Sequence, residues 1–207
     1  MAVNHAVSAA AALVLLTVPA CDDGPASSVE RREEASDLAD LPLQEEEAPE
    51  GLAASEEGTG PVASVRDVLP PRSALPNETP LPRPISRAFR GGYEVLYLGE
   101  EGSSGPASAA SSVIRFTGEN AASGFVAYLR EVEVGAGRGQ ERVEFPTEVG
   151  DQAFGWHLEV PFGESSTVVW RRDALVLTVA LGGGIGSADP ERALALARRV
   201  DLRLEGS

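Results

Sequence analysis

The 207-residue chain contains no lysine, one cysteine (Cys21), one methionine (Met1) and two histidines (His5 and His157). Without lysine there is no P-loop lysine, no Schiff-base amine and no kinase-type phosphate lysine. One cysteine excludes an intramolecular disulfide, a multi-thiolate zinc site and a Cys-held iron–sulfur cluster. If His5 leaves with a leader, His157 alone is too few for the usual two- or three-His catalytic metal sites, so no metal or cofactor is expected. Aromatic residues make up 5% of the chain, which leaves few stacking platforms for sugars. Counting does not exclude carboxylate pairs for glycoside hydrolysis, but it does not favour them.

What is present is acid, and it is unevenly placed. The formal charge is -15, and residues 22–60 hold 13 acidic side chains against two arginines. Residues 61–207 are nearly balanced, with 19 acidic residues and 15 arginines. The acidic block has the low hydrophobicity of a solvated segment that cannot offset its own chain entropy. Nucleic-acid binding is disfavoured, because neutralising phosphates needs clustered cations. The remainder is long enough for one core-bearing domain.

From Ala6 to Ala20 the chain is apolar or small. As a helix this run reaches about 22 Å, short of the roughly 30 Å hydrocarbon core, so it suits a secretory signal better than a membrane span. Val18-Pro19-Ala20-Cys21 resembles a bacterial lipobox. That resemblance implies a leader cut before Cys21, a diacylglyceryl thioether on its sulfur and a fatty-acylated (palmitate-type) amine. Two or more acyl chains anchor stably where one does not. A cleaved signal followed by an unmodified cysteine, or a poorly spanning anchor helix, is the alternative. Asp22 after the cysteine resembles the inner-membrane retention signal of enteric bacteria. The implied address is the bacterial envelope, facing the periplasm or exterior and leaning to the inner membrane.

Residues 21–84 are expected to be a disordered linker, acidic at first and proline-rich from residue 61, with Pro70, Pro71, Pro76, Pro80, Pro82 and Pro84 favouring extended polyproline II. Pro80-Leu-Pro82-Arg-Pro84 could dock in an aromatic groove, but a passive spacer is the simpler reading. Asn77-Glu78-Thr79 is a formal glycosylation triplet, discounted because the leader is bacterial in type.

Residues 85–207 read as the globular domain. Strands are expected at Tyr93–Leu98, Ser112–Thr117, Gln140–Phe145, Ala153–Val160, Thr167–Arg171 and Ala174–Leu181, the last two forming a hairpin near Arg172-Asp173. Helical spacing marks Glu119–Val132 (Phe125, Tyr128, Leu129, Val132) and a final helix capped by Asp189 with Pro190 in its first turn. Hairpin-length links imply antiparallel pairing. The expected fold is α+β, an antiparallel sheet of about five to six strands with two helices packed on one face. Val149–Ala153, Trp170–Asp173 and Ala195–Asp201 are also similar to a layout found in uncharacterised secreted bacterial α+β domains, which implies a fold and no activity.

No catalytic motif emerges. Gly182–Gly186 before the last helix lacks the following parallel strand of a dinucleotide site, and Asp189 would repel phosphate. No Gly-x-Ser-x-Gly elbow occurs, and Ser165-Ser166 is merely the nearest serine pair to His157, the one imidazole available for Ser-His-acid chemistry. If both helices cover one face, the open face carries Arg115, Arg142, Glu144, His157 and Glu159. Trp170, Arg171 and Arg172 near the hairpin tip are the best contact candidates, since Trp and Arg dominate interface hot spots. The expectation is therefore a non-catalytic, lipid-anchored envelope protein. Its domain would bind or support another envelope component, using Trp170, Arg171, Arg172, Arg142 and His157. The alternative is a carrier or sensor of a small apolar molecule.

Overall fold

The computed structural model describes residues 37–65, 67–68, 80–99, 105–135 and 142–206. The expected leader with Cys21, the first acidic residues, positions 69–79 with the Asn77 triplet, and 136–141 lie outside these residues. Among the described residues, no helix is long and apolar enough to cross a membrane.

One sheet of eight strands organises the domain, and every pairing in it is antiparallel. β1 (Leu52–Ala54) and β2 (Gly60–Val62) lie in succession along one margin of β3 (Phe89–Gly99). Beyond β3 come β4 (Ser108–Phe116), β8 (Leu175–Gly183), β7 (Gly163–Arg172), β6 (Gln152–Val160) and finally β5 (Arg142–Phe145). All six expected strands are present. The count rises to eight because β1 and β2 come from the stretch whose composition had suggested a linker.

That linker reading is corrected over residues 37–65, and the boundary at residue 85 with it. Leu38 and Leu43 are 0% exposed and belong to the main core. The backbone that carries them is fastened at several points. Arg203 donates to the carbonyls of Asp40 (2.9 Å), Leu41 (3.1 Å) and Pro42 (2.8 Å). Tyr97 donates its hydroxyl to the Leu43 carbonyl at 2.8 Å, and the Leu43 N–H donates to Ser111 Oγ at 3.1 Å. A hydrophilic segment can fold this way because it adds a few leucines to an existing core and needs no core of its own.

The two long helices, expected on one face of the sheet, do not share it. α2 (Glu119–Arg130) buries Ala122, Phe125, Val126, Tyr128 and Leu129 with Ile114, Phe154, Val169 and Val176. α3 (Pro190–Glu205) buries Ala193, Leu196, Ala197 and Val200 with Val113, Val168, Trp170, Leu177 and Val179. Neighbouring residues on a strand point to opposite faces, so Val168 and Val169, or Val176 and Leu177, belong to different cores. The two helices therefore lie on opposite faces of the sheet, in a helix–sheet–helix sandwich. α1 (Arg83–Ala88), formed where proline favours a helix start, sets Ile85 in the α2 core. As expected, Asp189 caps α3, its side chain accepting from the Glu191 N–H at 2.7 Å.

Burial leaves a titration signature on β3. The Glu94 carboxyl is pushed up to about 7, first by burial and then by Asp67. A raised acid pKa favours the folded state below the unfolded value near 4.5, and that advantage is lost as pH rises through about 7. Glu94→Gln is therefore expected to leave stability unchanged at pH 4 and to raise it by on the order of 2 kcal/mol at pH 8. Urea unfolding across that range checks it, and a pH-independent difference would refute the burial account.

Candidate functional site

The sheet has two ends, and each gathers polar chemistry on the α3 face. At one end is the β7–β8 hairpin, whose turn holds Asp173 at φ +52, a left-handed conformation that Asp tolerates better than most residues. Beside it, α3 brings in Asp201. Its Oδ1 accepts from Trp170 Nε1 (3.1 Å) and Arg172 Nε (2.8 Å). Its Oδ2 accepts from the second arm of Arg172 (2.6 Å) and from the Gly150 N–H (3.1 Å). Burial alone would raise the Asp201 pKa, but the hydrogen bonds from Arg172, Gly150 and Trp170 outweigh it and hold the carboxyl below its ordinary value. This constellation is a clamp between helix and sheet.

It also corrects the expected contact residues. Trp170 is 0% exposed and fills the core, with its indole N–H committed to Asp201. Arg172 is forked onto Asp201 and reaches Glu205 at 2.9 Å. Arg171 points to the other face, toward Asp151 at 3.3 Å and Glu119 at 3.9 Å. The shared open face does not exist. Register places Arg142 and Glu144 opposite Leu158 and Trp156, on the α2 side. There Arg142 pairs with Glu133 and stands 5.8 Å over the Trp156 ring, while Glu144 meets Arg130 at 2.7 Å. Burial lowers the Arg142 pKa from its ordinary value. His157 and Glu159 lie on the α3 side. A recess beside the clamp is lined by Thr147, Glu148, Val149, Asp151, Ala153, Arg172, Asp201 and Glu205 among others.

The opposite end is built by the two-residue turn Pro161-Phe162 between β6 and β7. A tight turn fixes register, so His157 faces Ser166 and Glu159 faces Glu164 across the hairpin. His157 Nδ1 lies 2.8 Å from Ser166 Oγ, and the serine hydroxyl donates to the Ala188 carbonyl. The hydroxyl's single proton is thereby used, so Nδ1 is the donor to Ser166 and Nε2 carries the lone pair in the neutral ring. Nε2 lies 3.5 Å from Glu159 Oε1. Glu164, 9% exposed, accepts from the Ala188 N–H at 2.5 Å.

Ser166, His157 and Glu159 have the composition of a hydrolytic triad but not its arrangement. Ser166 is 0% exposed and hands its proton to a backbone carbonyl, so no nucleophile is presented to a substrate. From the sequence, His157 and Glu159 were expected on one face, with Ser165-Ser166 the nearest serine pair. Glu164 and the register that sets it and Ser166 opposite them were missed, although the position of the Pro161-Phe162 turn could have revealed both.

Two large side chains stand out around this end. Phe162 is 78% exposed in the β6–β7 turn and Ile185 is 75% exposed in the loop after β8. Their loops adjoin, because Glu164 pairs with Gly183. Leu98, 46% exposed, lies at the same end on β3.

No protein-family model and no curated protein matches the chain. Among solved structures it is similar to the extracellular domain of PknH from Mycobacterium tuberculosis. The TM-score is 0.51 and the identity 12%, over 85% of this chain and 97% of that one. The similarity is one of fold: the described domain shares its architecture with a bacterial extracellular domain.

Proposed function

We propose that this chain is a lipid-anchored protein of the bacterial envelope whose domain docks onto another envelope component without turning over a substrate. The observation that carries the reading is the placement of Phe162 and Ile185. Large apolar side chains elsewhere are mostly built into two cores, yet these two project from adjoining loops at one end of the sheet. Exposed apolar clusters of this kind mark interaction sites.

Residues 40–42 pass beneath Arg203, two residues beyond Asp201 on α3. The fold similarity to an extracellular domain agrees with an envelope address.

The test is site-specific photocrosslinking at position 184, where the exposed glycine has open space for a side chain, in intact cells, with and without the double substitution Phe162→Ser, Ile185→Ser. The expected result is a discrete crosslinked species in the membrane fraction that the double substitution reduces at least tenfold at equal protein level. A crosslinking pattern indifferent to both substitutions would remove the docking surface. A wild-type chain recovered in the aqueous phase after detergent partitioning would remove the anchor.

A further inference from the structure

We infer that His157, Glu159 and Glu164 form a binding site for a divalent cation of the zinc class. The three residues each offer one donor atom, and these atoms all lie within 4.8 Å of one another. The Nε2 to Oε1 separation of 3.5 Å is close to the roughly 3.4 Å between two ligands on one tetrahedral zinc ion with bonds near 2.1 Å. One imidazole and two carboxylates are a borderline donor set, suited to zinc and poorly suited to magnesium or calcium, which prefer oxygen alone. Three protein ligands, one of them at the surface, are the count of a site with an open fourth position.

Two observations independent of the donor distances support the assignment. The ligands are oriented from behind as metal ligands commonly are. His157 gives its Nδ1 proton to Ser166, which is itself fixed by the Ala188 carbonyl, leaving the Nε2 lone pair facing the carboxylates. Glu164 is held by the Ala188 N–H at 2.5 Å. The register also sets Glu159 directly against Glu164 across β6 and β7. Like charges so placed repel. Among the described residues, neither carboxylate forms an ion pair with an arginine. A cation between them converts the repulsion into attraction.

The experiment titrates zinc into the metal-stripped full chain at pH 7 in competition with a chromogenic chelator. The expected result is one equivalent bound with micromolar or tighter affinity, indifferent to millimolar magnesium or calcium. His157→Ala should weaken binding at least a hundredfold. Glu159→Gln should weaken it at least tenfold, and this variant cannot be blamed on misfolding because the Glu159 side chain is 77% exposed. Absence of zinc binding, or binding that survives both substitutions and so belongs to other side chains, overturns the site. Either zinc outcome leaves the crosslinking result at Phe162 and Ile185 unaffected.

Discussion

Replacing Asp201 with alanine should lower the unfolding free energy by roughly 3–5 kcal/mol, with little change in urea m-value. The size follows from what the carboxylate leaves behind. Arg172, with a side chain only 23% exposed, loses its forked partner, and the fully buried Trp170 indole loses its acceptor. Gly150 also loses a backbone hydrogen bond. Breaking one side of a partly buried ion pair costs more than the pair contributes, and although Arg172 keeps Glu205 at 2.9 Å, the Trp170 indole and the Gly150 N–H are left without acceptors. The depressed Asp201 pKa adds a pH signature. Its stabilisation is complete above the unfolded carboxyl value near 4 and is lost as pH falls through the lower folded value. Asp201→Asn should therefore show a flatter acid limb. A loss below about 1 kcal/mol for Asp201→Ala would mean that the clamp is solvated.

Phe125→Ala should cost a comparable roughly 3–5 kcal/mol, through a cavity. Phe125 is 0% exposed, its ring 5.2 Å from Phe116 and 6.5 Å from Tyr128. For a domain of this size the melting temperature should fall by about 6–20 °C. The pair of substitutions also tests the architecture. Phe125 and Asp201 serve helices on opposite faces, so their effects should add within about 0.5 kcal/mol. Strong non-additivity would place both helices in one core.

Local elements were legible where one physical signal dominated. Helical spacing located α2 and α3, the Asp189-Pro190 pair placed the start of α3, and the alternation from Ala153 to Val160 marked β6. The helices were expected on one face because two amphipathic helices and hairpin-length links suggested a two-layer architecture. Val113-Ile114, Val168-Val169-Trp170 and Val176-Leu177 are consecutive apolar residues, the mark of strands covered on both sides. The packed segment 37–65 was missed for a different reason. Leu38, Leu41, Leu43 and Leu52 follow no helical or strand period, and their binding surface is assembled only when Tyr97, Ser111 and Arg203 come together.

The candidate sites divide the same way. Trp170 and Arg172 stood out by residue type, but type does not separate an interface anchor from a buried clamp; only the approach of Asp201, 29 residues from Arg172, does that. The grouping of His157 with Glu159 and Glu164 follows from hairpin arithmetic once the turn is fixed at Pro161-Phe162. Phe162 and Ile185 carry no periodic signal, and their exposure is a property of the assembled loops.

The margins of the sheet bear on how molecules behave when crowded. One margin is divided between two three-residue strands, the second containing Pro61, and the other is the four-residue β5 with Arg142 and Glu144. A strand arriving from a neighbouring copy would find few consecutive ladder bonds at either side before a proline, a gap or a charge stopped it. Copies held side by side at high density are thus poorly equipped to zip into fibrils.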